Sequence, residues 1–160
     1  FISTVEKLFN PARSPLLTGV FHGPVLRQMD AVLRGASYPR SLVIQGSQGS
    51  TDPKVSVPTR ALLVDPDREG ESIILNPLDF GLAGTEEPLM DPPSSKAAAD
   101  WTRQVLVGED EEGRKAVILA LAAILFLADE TLGFSEAVSQ ARSGWEAARH
   151  KVFENIPVSA

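Results

Sequence analysis

The chain has 160 residues, a formal charge of −6, 43% hydrophobic and 22% charged residues, which suits one folded domain and excludes both a disordered chain and a strongly basic nucleic-acid binder. With no cysteine and two histidines, disulfides, thiolate metal centres and a histidine-rich metal cluster are excluded as well. The longest apolar run, Ala116 to Ala128, is shorter than the ~20 residues that cross a bilayer, and the first ten residues lack the parts of a signal peptide, so a cytoplasmic protein is expected.

Thr4 to Phe9 reads as a short helix or turn closed by Asn10-Pro11. Leu16 to Phe21 reads as a strand, broken by Gly23-Pro24, and proline suits the first turn of a helix. Val25, Met29, Val32 and Leu33 then recur at helical spacing, with Gly35 as the stop. Ser41 to Gln45 is the second strand. Strand, helix, strand over so short a stretch predicts a right-handed βαβ crossover with parallel strands. Thr59 to Val64 and Ser72 to Leu75 flank the polar cluster Asp65 to Gly70, which predicts an antiparallel hairpin. Pro77 to Phe80 forms one helical turn, and Ala83 to Ser95, rich in proline, is a loop.

Three helices follow. Ser94 and Ser95 cap the helix Lys96 to Val107, whose apolar side holds Ala97, Ala98, Trp101, Val105 and Leu106. Glu109 to Gly113 is an acidic connection. Arg114 to Asp129 is apolar nearly all round, the mark of a helix buried among others. Ser135 caps the last helix, Glu136 to Phe153, with Ala137, Val138, Ala141, Trp145, Ala148 and Val152 on its apolar face and Pro157 beyond its end. Trp101 and Trp145 are both expected in the core. The fold class is therefore α/β: a partial mixed β-sheet with a βαβ unit, an antiparallel hairpin and packed C-terminal helices. Because the chain opens on Phe1 rather than methionine, a fragment with an upstream portion missing is expected.

The stretch Ser41 to Asp52, SLVIQGSQGSTD, is the candidate site, since a buried strand that stops in a glycine-rich loop is how α/β proteins place ligands at the carboxyl edge of a sheet. Gly46, Gly49 and Ser50 allow close backbone approach to a cofactor or phosphate, and Asp52 offers a carboxylate to a cation. An equally open reading makes the loop a structural turn whose Asp52 caps a backbone donor. Charge is uneven: residues 1–60 hold seven basic and three acidic side chains, the rest eight and eighteen. Lys7, Arg13, Arg27, Arg34 and Arg40 form either a basic face for phosphates or an ordinary solvated surface. His22 has no partner that would make it catalytic.

Several segments, in order, resemble the TrpD-like family, the anthranilate phosphoribosyltransferases and related glycosyltransferases of family 3. They are TVEKLFNPA at Thr4, LTGVF at Leu17, SLVIQGSQGSTD at Ser41, PTRALLV at Pro58, LNPLDFGL at Leu75, VLVGEDEEGRKAVILALAAILFLA at Val105 and SEAVSQA at Ser135. The resemblance implies that residues 1–160 are the C-terminal portion of the family's α/β domain. The helical domain, the glycine-rich donor loop and the anthranilate-contacting segments would lie upstream. It also implies transfer of phosphoribose from a pyrophosphate donor to an aromatic amine with magnesium, a reaction this portion is not expected to run alone. The site segment departs from the family pattern. Where the family carries adjacent metal-binding carboxylates, this chain has Thr51 and Asp52, a degenerate magnesium motif, and the family histidine before Gly46 is Gln45. Such losses resemble the divergent YbiB-like branch, which implies homodimers and nucleic acid as a partner rather than tryptophan synthesis. A pentosyl transferase with a different acceptor is the remaining alternative.

Overall fold

The computed structural model describes residues 6–85 and 94–153, with side chains described through residue 148. Thr4 and Val5, the prolines of the 86–93 loop, the Val152 side chain and Pro157 lie outside the described residues. The expected mixed α/β architecture is present. β1 (Leu16–Gly19) leads through α1 (Gly23–Ala36) to β2 (Ser41–Ile44), and β3 (Thr59–Val64) and β4 (Glu71–Leu75) follow. The helices α2 (Ser95–Val107), α3 (Glu111–Ala128) and α4 (Phe134–Phe153) complete the order, and 3-10 turns occupy Ser47–Gly49 and Pro77–Phe80.

The sheet runs β1-β2-β3-β4. β1 and β2 are parallel, as the crossover requires, with Leu16 opposite Ser41 and Gly19 opposite Ile44. β3 is antiparallel to both β2 and β4. All four residues of β2 are buried, because a central strand covered on both faces has no polar side to offer. Val43 faces α1 with Leu62 and Val64 of β3, while Leu42 and Ile44 face α3 with Ala61, Leu63 and Leu75. A third apolar cluster joins α2, α3 and α4 around Leu119, Ala122, Ala137 and Trp145. α3 therefore lies between the sheet and α4. It is apolar nearly all round because Ala123 and Leu127 pack on the sheet while Ile118 and Leu119 belong to the helical cluster.

Several expectations are corrected. α1 runs through Gly35 and stops at Ser37, which takes the left-handed conformation. Its buried stripe is Leu26, Met29 and Leu33, with Val32 exposed, a rotation of one position that single-residue periodicity does not resolve. α3 begins one turn earlier than expected, at Glu111, because Asp110 accepts from the Gly113 amide as its N-cap. Ser135 lies inside α4 rather than capping it. Trp101 is 49% exposed, and its indole N–H donates to Asp110 at 2.7 Å, so it is not core. Trp145 is buried as expected. In α2, Val105 is the buried residue, since that helix touches α3 and α4 along a narrow seam. Ala148 of α4 is exposed.

Candidate functional site

Topology gathers one set of loops at one edge of the sheet. The parallel strands β1 and β2 both end there, α1 starts there, and the antiparallel β3 begins there, since Ile44 pairs with Ala61. The edge thus assembles residues 19–23, 45–52 and 58–60, which are far apart in the chain. Gln45 ties it together. Its backbone N–H donates to the Arg60 carbonyl at 2.9 Å, and its side-chain amide donates to the Phe21 carbonyl at 3.2 Å.

The loop after β2 is folded on itself. The Ser47 amide donates to the Asp52 carbonyl at 3.1 Å, and the Ser50 hydroxyl accepts from the Asp52 amide at 3.1 Å. The local cap is therefore the Ser50 hydroxyl, not the Asp52 carboxylate. Gly46 is required by packing: a Cβ there would lie 2.4 Å from the Ser50 carbonyl oxygen and 2.6 Å from that of Asp52. Gly49 has a φ of +79°, a conformation that suits glycine, and lies against Phe21. The Lys7 ammonium donates to the carbonyls of Gly49 at 3.2 Å and Gly19 at 3.3 Å, pinning this loop to the end of β1.

This geometry separates the candidate residues instead of converging them. Gly46 lines a cavity of about 260 Å³ together with Phe21, Gln45, Gln48, Lys54, Pro58 and Arg60. Gly49, Ser50 and Thr51 line a second cavity of about 270 Å³, on the Lys7 side of β1. Asp52 lines neither cavity and is exposed. Magnesium wants several hard oxygens at short range. Among the described residues no group of three carboxylate, histidine or cysteine side chains comes together, and Asp52 is the carboxylate this loop offers to a cation.

Of the two readings of Lys7, Arg13, Arg27, Arg34 and Arg40, a shared basic face is not formed among the described residues. Arg40 is 4% exposed, with its guanidinium donating to the Phe126 carbonyl at 2.8 Å and lying over the Phe126 ring. Arg34 pairs with Asp30 one helical turn away, and Lys7 is held by backbone carbonyls. Among the described residues, Arg13 and Arg27 of that set remain exposed without a side-chain partner. His22 is exposed at the α1 N-terminus and meets Phe21 edge-on. The cations that do line the edge, Lys54 and Arg60, are not in that set. Their signal is topological: Pro58-Thr59-Arg60 opens a strand antiparallel to β2, which returns it to the loop end of β2. The Lys54 backbone is anchored by the buried Thr59 hydroxyl, which accepts from it at 2.8 Å.

Residues 2–147 match the family model described as "Glycosyl transferase family, a/b domain". An anthranilate phosphoribosyltransferase from Herpetosiphon aurantiacus is 28% identical over 137 residues, 84% of this chain and 40% of that protein. The counterpart from Methylibium petroleiphilum is 30% identical over 138 residues, 84% of this chain and 39% of that protein. The Saccharomyces cerevisiae anthranilate phosphoribosyltransferase in complex with 4-fluoroanthranilate superposes with a TM-score of 0.68 at 16% identity, covering 85% of this chain and 40% of that one. The same yeast enzyme in complex with PRPP and Mg gives a TM-score of 0.67 at 17% identity, covering 85% of this chain and 39% of that one. At that identity the structures show a shared fold. The chain spans about 40% of the length of the relatives it matches.

Proposed function

The chain belongs to the glycosyl transferase family, in its a/b domain, and from that premise we propose that it is the C-terminal site portion of an anthranilate phosphoribosyltransferase-like protein whose magnesium equipment is degenerate. In this reading the protein does not carry out conventional transfer of phosphoribose to anthranilate. The relatives that match are anthranilate phosphoribosyltransferases, and one solved neighbour was captured with PRPP and Mg. The loop after β2 stands at the carboxyl edge, where this kind of sheet places its ligand.

The observation that carries the reading is the fate of Thr51 and Asp52. A hydroxyl replaces one of two expected carboxylates. The remaining carboxylate is exposed, outside both cavities that flank the loop. A magnesium ion held by one solvated carboxylate keeps most of its water and binds weakly.

Full-length protein supplied with anthranilate, PRPP and magnesium is expected to show no turnover, measured by loss of anthranilate fluorescence. Turnover at ordinary enzyme rates, on the order of 1 s⁻¹ or faster, overturns the reading. A T51D/D52E double variant is expected to bind magnesium more tightly than the parent by titration calorimetry. Equal affinity in parent and variant would show that the paired carboxylates are not what is missing.

A further inference from the structure

The cavity beside Gly46 has the wrong charge for a metal site and the right one for an anion. Lys54 and Arg60 line it, and no carboxylate does. Neither side chain has an ion-pair or hydrogen-bond partner among the described residues, in a protein whose net charge is −6. Elsewhere the described arginines are engaged more often than not: Arg34, Arg68 and Arg114 have carboxylates, and Arg40 and Arg142 have backbone carbonyls.

The rest of the cavity suits the same ligand. The Gln45 side-chain N–H already donates to Phe21, and Gln48 adds a second amide at the wall. The α1 N-terminus lies alongside, with the Gly23 Cβ position 3.7 Å from the Arg60 guanidinium, no acidic residue in its first turn and no side-chain cap at His22. Its partial positive charge adds to that of the two side chains. Phe21 and Pro58 supply the apolar part of the lining beside the two cations. At about 260 Å³ the space is below the size range of about 300–1,000 Å³ for clefts that take drug-sized ligands, so it fits a compact group.

We propose that Phe21, Gln45, Gln48, Lys54 and Arg60 form a metal-independent binding site for a phosphate or diphosphate group, with the two side-chain cations supplying the positive charge that a divalent ion would otherwise provide. Arg60 presents a planar fork of donors to phosphate oxygens, and Lys54 acts as a mobile point charge. The inference goes beyond the loss of anthranilate transfer and does not depend on it.

The test is titration calorimetry of the full-length protein with inorganic pyrophosphate and with inorganic phosphate, in EDTA and again in magnesium. Binding of pyrophosphate or phosphate is expected in EDTA, no tighter in magnesium and weaker as salt rises. R60Q and K54M are each expected to weaken it tenfold or more, while R27Q on the exposed face of α1 leaves it unchanged. Both cation positions are exposed, so the variants are expected to keep the parent's circular dichroism and melting temperature. Absence of binding in EDTA, binding that requires magnesium, or affinity unchanged in both folded variants overturns the proposal. Turnover with anthranilate would overturn the loss of conventional activity while leaving this site standing. Failure of metal-free anion binding would do the reverse.

Discussion

Two glycines of this chain make opposite demands on a side chain. At Gly46 a methyl group would sit 2.4 Å from one backbone carbonyl oxygen and 2.6 Å from another, inside a loop closed by its own hydrogen bonds. Backbone cannot step aside as a flexible side chain can, so G46A must open the turn. At Gly35, inside α1, nothing lies within 4 Å of the added carbon. G46A is expected to lose about 1–3 kcal/mol of stability by overpacking, while G35A gains about 0.5–1 kcal/mol through helix propensity. Urea denaturation of the two variants beside the parent measures both, and the signs should differ. The residues flanking Gly46 were legible as a turn because glycine and serine cluster there. That the turn divides two cavities, Gly46 on one and Thr51 on the other, was not legible, since a sequence does not reveal which side of a folded loop a residue faces.

Among the elements, Arg40 joins two that are distant in sequence. It enters β2 and reaches the C-terminus of α3, where helix carbonyls have no intrahelical partner. The guanidinium donates to Phe126 and sits over its ring, 4.9 Å from the centroid. It is a cationic cap on a helix dipole, placed in the core. R40M would keep the stem's packing but leave the part-buried Phe126 carbonyl without its donor, at a cost of about 1–3 kcal/mol. R40K restores the charge without the planar fork and is expected to fall between the two. Thermal or urea unfolding of the three proteins orders them; equal stability of R40M and the parent would remove the capping role. On sequence alone Arg40 was one of several basic residues before a strand, and nothing local distinguished it from Arg34, which pairs with Asp30 on the exposed face of α1. The two arginines part company only because α3, more than 80 residues later, brings its end against one of them.

At the scale of the whole molecule, charge links the helical layer to the site-bearing sheet. Glu112 accepts from the Thr85 amide at 2.6 Å and from Lys115 at 2.7 Å, and Lys115 in turn donates to the Ala83 carbonyl at 2.9 Å, fastening the strand-to-helix connection onto α3. Arg114 bridges Glu111 and Glu146, fastening α3 to α4. The hydrogen bond from Lys115, then that from the Thr85 backbone, hold the Glu112 carboxyl below its ordinary value; Arg114 does the same for Glu111. A carboxyl whose folded value is depressed stabilises fully above its unfolded value and loses that contribution as pH falls through the folded one. Stability should therefore decline below roughly pH 4–5, where free carboxylates begin to protonate. These groups are largely solvated, so each contribution is modest and salt-sensitive. E112Q is expected to be less stable than the parent at pH 7, with the gap closing as the pH is lowered through 4 towards 3. Urea midpoints across that range check it, and a gap that persists in acid would place the effect in packing rather than charge.

The order of elements, the parallel crossover and the hairpin followed from the sequence by itself, because apolar period, turn residues and proline act within a few positions of one another. So did the kinship with the glycosyltransferase fold, carried by segments such as SLVIQGSQGSTD and LNPLDFGL in their proper succession. Which apolar side chains are buried was decided by packing: Leu26 rather than Val32, and Trp145 but not Trp101. Which cations remain available was decided the same way. Arg40 disappears beneath a helix end, while Lys54 and Arg60 meet at a cavity because an antiparallel strand returns to the edge that two parallel strands have just left. Side-chain chemistry is written locally, but its neighbours are supplied by contacts between distant parts of the chain, and these exist only once the sheet has closed on α1 and α3.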